Sequence, residues 1–217
     1  SYFTVSVMPA SEGFVALTGA TGSFTFQPAL NWFGRTNFTY QVGDGFAVSA
    51  VATILITVVP VNDPPVANPV TFSQGLIEDT AFTGTVTGSD VDGDSISFLI
   101  VSQPSAGSVS LDVSGVFTYT SQLNFNGETS FVFRAFDGIA FSGNALARLI
   151  IAPVNDRPVA NAASYTINED SSLTATLTGS DVDGDVLKFY LDTPPANGTV
   201  TLTSTGALQY NPPANFN

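Results

Sequence analysis

One pentapeptide, Asp-Val-Asp-Gly-Asp, occurs twice in the chain, at Asp90–Asp94 and at Asp181–Asp185, so its copies start 91 residues apart. Glu78-Asp79 returns as Glu169-Asp170 with the same shift, and Asn124-Phe125-Asn126 returns as Asn215-Phe216-Asn217. Val61-Asn62-Asp63-Pro64-Pro65-Val66-Ala67 comes back as Val154-Asn155-Asp156-Arg157-Pro158-Val159-Ala160, 93 residues on. Phe38-Thr39-Tyr40 with Asp44-Gly45 comes back as Phe131-Val132-Phe133 with Asp137-Gly138, again after 93 residues. Self-similarity at a fixed period marks an array of like units, each packing mainly on itself and its neighbours. The registers define a complete unit at 63–155, the C-terminal part of another at 1–62 and the N-terminal part of a third at 156–217. Such a chain is either a window on a longer array or a protomer whose incomplete ends are completed by neighbouring chains.

Within each unit the apolar period is two. Ile96, Phe98 and Ile100 alternate with Ser95, Ser97 and Leu99, and Leu187, Phe189 and Leu191 repeat the pattern. Residues two apart point to the same face of a strand, so this alternation predicts half-buried β-strands. Glycine, proline, serine and asparagine punctuate the sequence at short intervals, and no helical stripe interrupts it. Seven strands are predicted in the complete unit, near 66–76, 81–89, 95–104, 108–113, 116–121, 129–136 and 143–152, the count of an immunoglobulin-like sandwich. The expected fold is all-β: tandem Greek-key sandwiches stacked end to end.

Charge then excludes whole classes of function. The formal net charge is −13, with Arg35, Arg134, Arg148, Arg157 and Lys188 the only basic residues. That balance repels phosphate backbones and anionic headgroups, so neither nucleic acid nor a membrane surface is an expected partner. Cysteine and histidine are absent, which removes disulfides, thiolate chemistry and the commonest general base. No signal peptide is read at the start, because Ser1-Tyr2-Phe3-Thr4 opens in strand-like alternation. The longest apolar run, around Val51–Pro60, is broken by threonine and far too short to span a bilayer. No nucleophile–base pair, phosphate loop or glycosidase carboxylate couple is visible, so no enzyme is expected.

The acids themselves are patterned. Only Glu12, Asp112 and Asp192 lie outside recurring loop or linker motifs. Three carboxylates within five residues repel one another, and a fold tolerates them best around a hard cation with oxygen ligands, such as Ca2+. An EF-hand does not fit: from Asp90, glycine falls at position 4 instead of 6, and position 12 is Val101. Asp94 and Asp185 either cap their turns or add a ligand. Because successive strands run up and down the sandwich, the Asp90–Asp94 loop and Asp137 share the end where linker Asn62-Asp63 enters. Glu78-Asp79 and the Asn124–Glu128 loop share the opposite end with linker Asn155-Asp156. Trp32, the only tryptophan, is expected to plug the base of its sandwich.

In this order, Val-Asn-Asp-x-Pro-Val-Ala, Glu-Asp, Asp-x-Asp-Gly-Asp, Asn-Phe-Asn-Gly and a late Asp-Gly resemble the bacterial cadherin-like Ig-fold tandem repeats of giant surface adhesins and extracellular fibres. The resemblance covers essentially the whole chain. It implies an extracellular, cell-surface array rigidified by Ca2+, acting as an adhesin stalk or fibre. By analogy with cadherins, one junction would use Asn62, Asp63, Asp90, Asp92 and Asp137, and the next Glu78, Asn155, Asp156, Asp181 and Asp183. Asp94 and Asp185 complete the candidate metal residues, and Glu169 would serve a further junction. The chain departs from the repeat at Thr129 and Thr36, where aspartate is common, and at Arg35, which stands where Glu128 stands. The implied partners are neighbouring modules, identical chains in a filament formed by strand exchange, or a surface ligand such as a glycan or receptor bound by the modules.

Overall fold

The computed structural model describes residues 2–4, 6, 8–18 and 22–216. Ser1 of the opening alternation and Asn217 of the repeated Asn-Phe-Asn lie outside them. The described residues are all-β, and their strand pairing stays within three stretches of chain. The first stretch holds β1 (Tyr2–Thr4), β2 (Gly13–Thr18), β3 (Ser23–Pro28), β4 (Gly34–Val42) and β5 (Ala52–Val58). The middle stretch holds β6 (Val66–Asn68), β7 (Val70–Phe72), β8 (Phe82–Thr85), β9 (Thr87–Ser89), β10 (Ser97–Ser102), β11 (Ser108–Leu111), β12 (Val116–Thr120), β13 (Gly127–Phe136) and β14 (Ala145–Ile151). The third holds β15 (Val159–Ala160), β16 (Leu173–Thr176), β17 (Gly179–Ser180), β18 (Thr199–Leu202) and β19 (Ala207–Asn211).

In the middle stretch the sheet β10-β13-β14-β7 faces the sheet β11-β12-β8, and β6 pairs with β9. The first predicted strand is broken in two. β6 pairs antiparallel with β9, whereas β7 pairs parallel with β14. Pro69 stands at the break, where its missing N–H removes a ladder bond. The second predicted strand divides around Val86, whose N–H leaves the ladder and donates to the Gly115 carbonyl at 2.9 Å.

Alternation sets the core. On β13, Phe131, Phe133 and Ala135 are fully buried, and on β14 Ala145, Ala147, Leu149 and Ile151 point the same way. From the facing sheet Phe117 meets Phe131 edge-on at 5.0 Å between ring centres. Burying a ring of this size is worth about 1.5–3 kcal/mol, so these few aromatics hold the two sheets together. The Tyr119 hydroxyl, also buried, donates to the Ala106 carbonyl at 2.9 Å.

The third stretch repeats the middle one as far as its strands go. Leu177 N–H donates to Gly206 O as Val86 N–H does to Gly115 O. Gly206 and Gly115 both have positive φ, +90° and +95°, and a Cβ on Gly115 would lie 2.6 Å from Val86 O. The strand expected at Leu187, Phe189 and Leu191 does not form. Its counterpart β10 has one sheet neighbour, β13, and no strand corresponding to β13 stands among the described residues of the third stretch. Phe189 N–H keeps its bond to Ser204 O, matching Phe98 to Val113, but without a ladder Tyr190 stands 80% exposed.

Candidate metal centres at the two linkers

At the first linker the side chains converge from three directions. The Asp90 Oδ1 atom accepts the N–H groups of Asp92 (2.8 Å) and Asp94 (3.3 Å), which curls the loop around one carboxylate. Gly93, with φ +83°, takes the turn. One oxygen from each of Asp90, Asp92 and Asp94 lies within 4.8 Å of the others. Asp92 Oδ2 then accepts the backbone N–H of linker residue Asp63 at 2.7 Å. The Asn62 amide donates to Asp137 Oδ2 at 2.9 Å, tying the linker to the turn between β13 and β14. Asp137 Oδ1 accepts Ile139 N–H and Ala140 N–H, both at 2.6 Å. These donors, Ala140 first and Asn62 next, hold the Asp137 carboxyl below its ordinary pKa. The linker is thus tied to this end of the middle unit through Asn62 and the Asp63 backbone, while the clustered carboxylates are those of Asp90, Asp92 and Asp94.

At the second linker the hydrogen bonds repeat, whereas the carboxylate cluster within 4.8 Å is formed, among the described residues, at Asp90, Asp92 and Asp94. Asp181 Oδ1 accepts Asp183 N–H (3.0 Å) and Asp185 N–H (3.2 Å), and Asp183 Oδ2 accepts linker Asp156 N–H at 2.7 Å. From the other side comes Glu78, only 2% exposed, whose carboxylate accepts Val154 N–H and the Asn126 amide. Asp156 lies among these groups. Burial raises its pKa, and the like charges of Asp183, Asp79, Glu78 and Asp181 raise it further. Among the described residues Asn155 Nδ2 donates to Asp156 O at 2.7 Å, as Asn62 Nδ2 does to Asp63 O, but makes no counterpart of the Asn62–Asp137 bond.

Two carboxylate oxygens, Asp90 Oδ2 and Asp156 Oδ2, are buried among the described residues with no hydrogen-bond donor. A buried carboxylate oxygen without a donor costs far more than one that is paired. One such atom stands at each linker, and at the first it adjoins the clustered carboxylates of Asp90, Asp92 and Asp94, oxygen donors of the kind a hard divalent cation takes. The residues fit calcium.

Some residues fall elsewhere. Glu128 is on the solvent face of β13, where Arg148 Nε donates to it at 2.8 Å in a two-point pair, so it does not face the linker. Thr129 is buried against the Ser105 hydroxyl. Asp94 and Asp185 are exposed, with their N–H groups engaged in the turns. Trp32 does not simply plug its own sandwich: half-buried, it lines a cavity of about 210 Å3 shared with Val59, Pro60, Val61, Asp63 and Asp92.

Sequence reasoning passed over Asp79 and Asn126. Asp79 and Asn124 both sit in the left-handed region, at φ 58° and 55°, and Asp79 Oδ1 accepts Asn124 N–H at 2.8 Å. Asp170 and Asn215 repeat the clasp at 3.0 Å. Both backbones are conformations that asparagine and aspartate tolerate better than other side chains, and the repeated spacing was the available signal. The clasp fixes the loop from which Asn126 reaches Glu78.

The sequence matches the bacterial Ig domain family over residues 2–57 and 62–148, and the bacterial cadherin-like domain family over residues 155–217. No curated protein matches it. Among solved structures it is similar to human CDH23 EC21-23, with 17% identity and a TM-score of 0.58, covering 99% of this chain and 79% of that one. It is also similar to the protocadherin gamma B2 extracellular cadherin domains 1-5, with 19% identity and a TM-score of 0.58, covering 100% of this chain and 46% of that one. An endo-fucoidan hydrolase of glycoside hydrolase family 107 aligns at 18% identity with a TM-score of 0.38, covering 99% of this chain. The chain spans about a third of that hydrolase, 34% of its length. At these identities the likeness concerns the fold. No helix among the described residues is long and apolar enough to cross a membrane. By its match over residues 2–57 and 62–148, the chain belongs to the bacterial Ig domain family.

Proposed function

We propose that this chain is a segment of an extracellular, cell-surface repeat array whose modules, 1–62, 63–155 and 156–217, are locked end to end by calcium at the two linkers. The observation that carries the reading is the pair of donorless buried oxygens, Asp90 Oδ2 and Asp156 Oδ2, one at each linker among converging carboxylates. Asn62, Asp63, Asp90, Asp92 and Asp137 would hold one ion, and Glu78, Asn155, Asp156, Asp181 and Asp183 the other, with Asp94 and Asp185 at the rim. Bound calcium supplies the positive charge that lets these carboxylates share one space.

The chain's own residues do the rest. Asp92 and Asp183 hold the linker backbone to the unit that follows, while Glu78 holds it to the unit before. The second linker, gripped from both sides, would fix the angle between its modules, which is the mechanical work of a stalk or fibre. The partners are the adjoining modules and, at the ends, further copies of the same module. The acids grip the linker backbone, so the reading is structural.

Trp32 gives a direct assay, since its cavity includes Asp63 and Asp92. Calcium added to chelator-treated protein is expected to change Trp32 emission saturably, and Asp92→Asn to shift the midpoint to higher calcium. An unresponsive wild-type emission, together with a melting temperature that calcium leaves unchanged, would overturn the reading.

A further inference from the structure

The turn between β13 and β14 carries Asp137, and it is held from behind by an arrangement that the first unit lacks. Phe136 and Phe141 face each other across an isolated bridge, with ring centres 4.4 Å apart and planes 29° from parallel. The guanidinium carbon of Arg134 lies 3.7 Å from the Phe141 ring centre. Arg134 and Phe136, two apart on β13, share the outward face of their sheet. Arg134 Nε is buried and has no hydrogen-bond partner among the described residues, so the guanidinium is committed to the ring and not to a carboxylate. The Ser97 hydroxyl donates to Phe136 O at 3.2 Å, fastening the same point to β10.

The corresponding turn of the first unit makes the contrast. Its bridge is Gly43 to Val48, Gln41 stands where Arg134 stands, and the Gln41 amide donates to Ser49 O at 2.7 Å. Asp44 still accepts Phe46 and Ala47 N–H, each at 2.8 Å, so the turn itself is conserved between the units. Gly43 and Val48 stand where Phe136 and Phe141 stand, so that ring pair is not repeated, and Phe46 is 100% exposed. The turn therefore forms without the rings, and the rings in the middle unit do something further.

We propose that Arg134, Phe136 and Phe141 are positioning residues for Asp137: the stack pins the hairpin so that Asp137 is presented to Asn62 of the incoming linker already in place. The inference rests on reading Asp137 as a residue of the linker site. A competing effect has the opposite sign. A cation near a calcium site opposes binding by charge, so if Arg134 acted mainly through its charge, its removal would tighten the site.

The test measures amide hydrogen exchange at Ile139 and Ala140 in chelated protein, and the calcium midpoint reported by Trp32. Phe141→Ala removes the ring pair and the cation–π contact, and exchange at these amides is expected to quicken roughly ten-fold. The calcium midpoint is expected to rise several-fold, while exchange at core amides such as Phe131 and Phe133 stays put. Phe141→Tyr keeps the stack and is expected to keep both values. Arg134→Gln is expected to weaken calcium binding. Unchanged exchange in Phe141→Ala, or tighter calcium binding in Arg134→Gln, overturns the brace. A wild type deaf to calcium whose Phe141→Ala variant still exchanges faster would retain the brace and discard the calcium reading.

Discussion

Glu78 does two separable jobs, and two substitutions part them. Its carboxylate is 2% exposed, accepts the Val154 N–H of the linker and holds the Asn126 amide at 3.3 Å. Glu78→Ala leaves the Val154 donor without its charged acceptor, a loss of about 1.5–3 kcal/mol. Glu78→Gln keeps an acceptor oxygen in the same place, so in chelator it should fall within about 1 kcal/mol of wild type. Calcium reverses the comparison. At about 100 times Kd a single site adds roughly 2.7 kcal/mol to stability. If the lost charge weakens binding about 100-fold, the gain drops to roughly 0.4 kcal/mol, so Glu78→Gln forfeits about 2.3 kcal/mol of the calcium increment. Calorimetric melting of wild type and both variants, each in calcium and in chelator, reads each of these differences. The reasoning is refuted if Glu78→Gln gains as much stability from calcium as wild type does, since the carboxylate charge would then play no part in holding the ion.

Phe131→Ala removes a ring that is 0% exposed and packed edge-on against Phe117; chemical denaturation should show a loss of about 3–5 kcal/mol confined to the middle unit. Gly115→Ala combines a positive φ of +95° with a Cβ 2.6 Å from Val86 O, and should cost at least about 1 kcal/mol, against no measurable effect at an open surface position. Two aspartates give opposite pH signatures. The Asp112 carboxyl is held below its ordinary value of 3.8, chiefly by the Ser114 hydroxyl. Its contribution is present above 3.8 and lost as pH falls through the lowered value, so Asp112→Asn should flatten the acid limb of the stability curve. Asp156 is raised above 3.8 by burial and by its like-charged neighbours; in chelator its junction should gain stability as pH falls through the raised value, and Asp156→Asn should remove that gain.

How far the sequence went is clearest at the linkers. Strand alternation placed the Asp90–Asp94 loop and Asp137 at the end where linker Asn62-Asp63 enters; that Asn62 meets Asp137 and Asp63 meets Asp92 came from the structure. The likeness between repeats carries the Asp63–Asp92 bond over to Asp156 and Asp183. It could not foresee the break at Pro69 between β6 and β7, since which sheet each half joins depends on partners distant in sequence. Alternation at Leu187, Phe189 and Leu191 was real but insufficient: a strand also needs a neighbour, and no counterpart of β13 stands among the described residues of the third stretch. Glu128 shows the limit of motif transfer, because Arg148 on β14 claims its carboxylate from the solvent face. The Asp79–Asn124 clasp required φ values that composition does not display. The Arg134–Phe141 contact spans a hairpin whose closure only the register reveals.

The central claim is that calcium turns a jointed chain into a rod, and small-angle scattering in calcium and in chelator tests it most directly. The account predicts a longer maximum dimension and a narrower distance distribution in calcium, with Asp92→Asn and Glu78→Gln each loosening one joint. Superimposable scattering curves in the two buffers, at calcium well above the midpoint seen by Trp32, would contradict it.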